Sequence, residues 1–163
     1  MAKYNRIFAA LDGGDTQLAV ARRALSIAHD NNAEVVLAHA VESTDLEMAR
    51  INLDDFAVKI KGHIEEVLEK QLMRAMHDEC VPSVEVWVKA GKINTVLSEM
   101  AAEFDPDLVI CGVRGLSSVK YAFVGSVSTY LIRHMPCDVL VVHPEAIEDI
   151  DEAEYEDAMA EAE

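Results

Sequence analysis

Apolar residues follow two textures along this chain. Short unbroken runs occur at Arg6–Leu11 (RIFAAL), Glu34–Val41 (EVVLAHAV), Leu108–Cys111 (LVIC) and Val139–Val142 (VLVV). They have strand length, and near-continuous apolar character marks strands covered on both faces. A fifth run, Val84–Val88 (VEVWV), alternates, with Glu85 and Trp87 on one side, and reads as a more exposed strand near a sheet edge. Between the runs the period changes to three and four. Leu18, Ala21, Leu25 and Ala28, widened by Ala24 and Ile27, form one stripe, stopped by Asn31-Asn32. The longest stripe is Leu53, Phe56, Ile60, Ile64, Val67, Leu68 and Leu72, reached through a polar link from Glu42 to Asp45. A third holds Ile93, Val96, Leu97, Met100 and Ala101, and a short helical pattern begins near Ser126.

Punctuation supports this division. Asp12-Gly13-Gly14-Asp15 is a turn signal, with Asp15 or Thr16 placed to cap the following helix. Gly91 and Pro106 close the third strand and third helix. Gly62, inside the longest stripe, costs about 1 kcal/mol relative to alanine and suggests close packing. Five strands with four helices between them predict an open five-stranded parallel sheet with helices on both faces, joined by right-handed crossovers.

At 163 residues the chain fits one domain with a full core. An apolar content of 51% belongs to a globular protein. No run approaches a membrane span and the N-terminus lacks a secretory pattern, so the expected compartment is cytoplasmic. Cys80, Cys111 and Cys137 fit that reading: an odd count without CxxC spacing describes neither a disulfide framework nor a zinc site. The net charge of −16 is uneven, because residues 145–163 carry ten acids and no base, leaving −6 on the rest. We therefore separate a domain at 1–144 from an acidic tail at 145–163. The tail's Ile147, Ile150, Ala153 or Glu154 and Ala158 lie near helical spacing, so a helical extension is expected, with disorder from its dense like charge as the alternative. Neither part suits nucleic acid or an anionic membrane.

The candidate chemistry lies between Asp107 and His143. Gly112 ends an apolar run, Gly115 follows, and Gly125-Ser126 opens the last helical pattern. Glycines allow backbone to approach a ligand. A helix beginning near Ser126 offers free N–H groups and a positive dipole end to an anion. Ser126 and Ser128 add hydroxyl groups. A strand, a glycine loop and a helix N-terminus make an anion cradle, which points to a phosphate-bearing ligand.

The spacing Gly-x2-Gly-x9-Gly-Ser, carried by Gly112, Gly115, Gly125 and Ser126, resembles the nucleotide-binding signature of the universal stress protein family, in its ATP-binding subgroup. The resemblance runs from Arg6–Leu11 through DVLVV, about the first 144 residues. It implies a Rossmann-like, adenine nucleotide alpha hydrolase-like fold with the first and fourth strands adjacent. It also implies an ATP site in which Leu11 and Asp12 lie against the nucleoside and Val41 meets adenine through its backbone. Gly112, Gly115, Gly125, Ser126, Val127 and Ser128 would hold ribose and phosphates. Arg114 is either a phosphate contact or a solvated loop arginine; Asp12 either steers Mg2+ through the phosphates or caps a helix. Gly14, Val113 and Asp138 depart from the family's usual residues without removing a motif glycine. A homodimer paired through Val139–Val142 is a further implication.

Three functions follow: a nucleotide-dependent regulatory or stress-response protein, a slow ATPase or nucleotidyl or phosphoryl transferase, or a dimeric scaffold without nucleotide. The chain has no GxxxxGK[ST] loop and no HIGH-like or KMSKS-like segment. Its histidines, His29, His39, His63, His77, His134 and His143, show no cysteine or carboxylate partner at ligand or triad spacing. With no identifiable base or nucleophile, the regulator is the expected function, without catalytic residues or a metal centre.

Overall fold

A computed structural model describes residues 3–14, 16–113 and 126–143. Its order is β1 (Arg6–Leu11), α1 (Gln17–Asn31), β2 (Glu34–Glu42), α2 (Thr44–Met48), α3 (Leu53–Val67) and α4 (Glu69–Met76). Then come β3 (Val84–Gly91), α5 (Ile93–Phe104), β4 (Leu108–Gly112), α6 (Ser126–His134) and β5 (Asp138–Val142). The five strands form one parallel sheet in the order β3-β2-β1-β4-β5. Three of the unbroken apolar runs, β1, β2 and β4, occupy its interior, and the alternating run is the β3 edge, as its pattern predicts; the fourth, β5, forms the opposite edge and is only partly buried.

Residues of β1 alternate between two cores. Ile7, Ala9 and Leu11 pack with α1, α3 and α4 through Val20, Ala24, Ile64 and Leu68. Phe8 and Ala10 pack on the other face with α5 and α6, through Leu97, Met100, Phe104 and Leu131. Every β1 residue from Ile7 to Leu11 is therefore buried. At the amino-terminal end of the strands Asp107 accepts from the amides of Asn5 (2.8 Å) and Arg6 (3.0 Å), tying the start of β1 to that of β4.

The longest predicted helix is divided. A short α2 occupies the expected polar link, and Asn52 caps α3, its Oδ1 accepting the Asp55 amide at 3.0 Å. Leu68 leaves helical geometry (φ −98°, ψ 15°), so α4 starts afresh. The break lets Leu68 be fully buried and Ala75 be buried beyond it, while Val67, expected in the stripe, is 46% exposed. Six helices thus replace the expected four among the described residues. Gly62 is not a packing glycine: nothing lies within 4 Å of where its Cβ would stand. Asn32 does end α1, in the left-handed region (φ 54°) with its amide bonded to Ala28 O. Among the described residues, no helix is long and apolar enough to cross a membrane. The acidic tail lies outside the described residues.

Candidate functional site

The strand order reverses between β1 and β4, and a parallel sheet opens a crevice beyond the carboxyl ends of its strands at that point. The register pairs Ala10 with Cys111, which brings Leu11 and Gly112 to the same rim. A cleft of about 100 Å3 opens there. Ala10, Leu11 and Asp12 form one side, Cys111 and Gly112 the other; His39 and Ala40 come from β2, Ile93 and Leu97 from α5, Val127 and Ser128 from α6. Most of these are apolar, and the polar groups are few and convergent, as in small-molecule sites. The volume enclosed by these residues lies below about 300 Å3, where small-molecule pockets usually begin. A larger groove of about 650 Å3 lies against α1 and α4, away from the strand ends, and is a weaker candidate for this ligand.

Leu11, Asp12, Gly112, Val127 and Ser128, expected at the site, therefore meet in one cleft. Val41 is half-buried, pairs with Ala90, and stands outside the lining; Ser126 is exposed at the first position of α6. Arg114, Gly115 and Gly125 lie outside the described residues.

Local chemistry explains these positions. Asp12 organises the β1–α1 turn: its Oδ1 accepts the Gly14 amide at 2.9 Å and its Oδ2 accepts the Thr16 hydroxyl at 2.6 Å. Thr16 occupies the N-cap position, but its backbone is already helical (φ −90°, ψ −12°) and not extended as a capping residue's is, and its side chain makes no capping bond. Gly112 has an ordinary φ, and its lack of a side chain serves packing. A Cβ there would stand 2.7 Å from Thr16 Oγ1 and 2.8 Å from Thr16 Cβ. The start of α1 can thus sit directly on the end of β4. Ser128 is buried and donates its hydroxyl to Gly112 O at 2.9 Å, pinning the first turn of α6 to the same strand end. Burial in this packing pushes the Cys111 thiol pKa up.

The sequence reading missed His39. Its Nδ1 lies 2.8 Å from Leu11 O; a carbonyl only accepts, so Nδ1 carries a proton and donates it. The ring lies beneath Gly13, whose φ of +78° and would-be Cβ contact of 3.0 Å to His39 Cε1 both require glycine. A polar residue near the carboxyl end of an otherwise apolar strand was the available signal. Two buried acceptors, Gln17 Oε1 and Asn94 Oδ1, have no protein partner among the described residues. Each stands in the first turn of a helix that begins at the crevice edge, where water or a ligand donor would satisfy it.

This open parallel sheet, with its cleft at the switch point and a helix N-terminus on the rim, has the architecture of mononucleotide-binding α/β proteins. The family model for universal stress proteins matches residues 3–143, and the chain belongs to the universal stress protein family. A protein of Staphylococcus haemolyticus named for that family is 31% identical over 148 residues, covering 90% of this chain and 89% of its own length. Universal stress protein UspA from Lactobacillus plantarum superposes with a TM-score of 0.71 at 20% identity, covering 87% of this chain and 99% of that one. A universal stress protein solved in complex with cAMP gives 0.60 at 26% identity, covering 88% and 99%.

Proposed function

We propose that this protein is an ATP-binding regulator whose bound nucleotide changes the shape or partner choice of a homodimer. The observation that carries this reading is the cleft at the β1–β4 switch point, with apolar walls for a flat ring and the N-terminus of α6 beside it for phosphate. The cAMP complex of a 26% identical relative supports an adenine nucleotide in such a fold. Leu11 and Val127 would flank the base and ribose, with the Val41 backbone reaching adenine. Gly112, Gly115, Gly125, Ser126, Ser128 and Arg114 would serve ribose and phosphates. Asp12 would act mainly by holding the turn, and any Mg2+ would come with the phosphates. The homodimer would pair through Val139–Val142, because β5 is an edge strand and an unpaired edge invites another chain.

Calorimetric titration with ATP, beside thermal melts, tests this. Wild-type protein should bind and melt higher with nucleotide. Ser126→Ala should lose roughly 1.5–3 kcal/mol of affinity, the value of a hydrogen bond to a charged group, and Gly125→Val should lose binding while staying folded. No heat and no rise in melting temperature at millimolar ATP would remove the nucleotide from the proposal and leave a scaffold. Steady phosphate release on the timescale of seconds would replace the regulator with an ATPase.

A further inference from the structure

The groove between α1 and α4 is lined by His29 and Asp78, which with nearby Cys80 make a second group of chemically active side chains. His29 stands in the last turn of α1, and Asp78 and Cys80 lie on the turn that joins α4 to β3. The fold brings the histidine to the carboxylate across 49 residues: His29 Nδ1 is 2.7 Å from Asp78 Oδ2. The turn itself fixes the other two. Val81 N donates to Asp78 O at 3.0 Å, and Cys80 N donates to Asp78 Oδ1 at 2.9 Å, so carboxylate and thiol share one tight loop. One ligand atom from each of His29, Asp78 and Cys80 lies within 4.8 Å of the other two.

We propose that His29 Nδ1, the Asp78 carboxylate and Cys80 Sγ form a zinc-class metal site that joins the end of α1 to the α4–β3 turn. Nitrogen, oxygen and sulfur donors together select a borderline cation such as Zn2+, whereas Mg2+ and Ca2+ take oxygen. A neutral imidazole, a carboxylate and a thiolate balance the charge of a divalent ion. That balance matters here, because Arg22, Arg74 and His77 line the same groove and an uncompensated cation would be repelled. Small side-chain rotations bring the three atoms to bonding distance, with water as the fourth ligand. The metal would replace the hydrogen bond between His29 Nδ1 and Asp78, with the imidazole proton carried on Nε2 and the thiol proton released to solvent, and it would favour the folded chain, in which alone the three groups meet.

The test is a titration of the reduced, chelator-stripped full chain with Co2+ alone. One ion per chain should bind, with a thiolate-to-cobalt charge-transfer band, visible bands of tetrahedral intensity, and displacement by Zn2+. Cys80→Ser should remove the charge-transfer band. His29→Ala and Asp78→Asn should each weaken binding by roughly tenfold or more, at least what loss of an outer-shell partner costs; Cys137→Ser should leave the titration unchanged. Asparagine keeps an acceptor for the Cys80 amide, so Asp78→Asn retains the turn even if His29→Ala folds poorly. Zn2+ should also raise the melting temperature and slow alkylation of Cys80. A band that survives Cys80→Ser, binding indifferent to Asp78→Asn, or no saturable uptake at micromolar metal would each overturn the proposal and leave an ion pair beside a bystander thiol.

Discussion

Replacing Gly112 by alanine adds one methyl group where the end of β4 meets the start of α1. The new carbon would stand 2.8 Å from Thr16 Cβ and 3.2 Å from Val20 Cγ2. Thr16 Cβ is anchored to backbone, so the first turn of α1 must retreat by roughly 0.7 Å to regain van der Waals separation. Thr16 and Val20 are 2% and 0% exposed, so there is little room for that retreat. It also pulls on the 2.6 Å bond from Thr16 to Asp12. Overpacking of this kind costs about 1–3 kcal/mol, equivalent to a fall in melting temperature of roughly 3–9 °C for a chain this size. Thermal and urea unfolding at fixed chain concentration would measure it, since dimerisation makes the melt concentration-dependent. A Thr16→Gly background isolates the cause: it removes the two closest contacts of the added methyl, at 2.7 and 2.8 Å, and the methyl's cost should fall by about 1 kcal/mol or more. Equal costs in the two backgrounds, or a melt unchanged by Gly112→Ala, would refute the packing account and return Gly112 to a purely ligand-facing role.

The same substitution at Gly62 should have the opposite sign: the position is exposed, inside α3, with open space at Cβ. It should gain up to about 1 kcal/mol, visible as a higher urea midpoint; a loss would reveal a neighbour there. Cys111 is 3% exposed and its thiol pKa is raised by burial, so iodoacetamide at about pH 8 should label half-buried Cys80 and Cys137 first and reach Cys111 only on unfolding. Prompt labelling of Cys111 in native protein would contradict its burial. Light scattering at micromolar concentration should return twice the chain mass; a value of 17.9 kDa would rule out pairing through β5.

The sequence by itself determined the sheet. Unbroken apolar runs require cover on both faces, stripes at three and four supply it, and alternation of the two leaves a parallel sheet with β3 at an edge. These are local periodicities, legible because each depends only on near neighbours. The motif glycines and the family they point to were legible for the same reason, as were the strand ends from which Leu11, Asp12 and Gly112 reach the cleft. Only the tertiary structure decided what those residues do. Gly112 and Gly62 look alike in sequence, yet one holds a helix against a strand and the other faces solvent, because packing depends on which element lies opposite. The helix break at Leu68 follows from the core it fills. Ser128 lines the cleft and also secures Gly112 O, a bond no spacing rule foresees, and His39 entered the site because β2 lies beside β1. The meeting of His29 with Asp78 and Cys80 was beyond any spacing rule: no motif spans 49 residues, and the partners are set by how α1 and α4 pack on one face of the sheet.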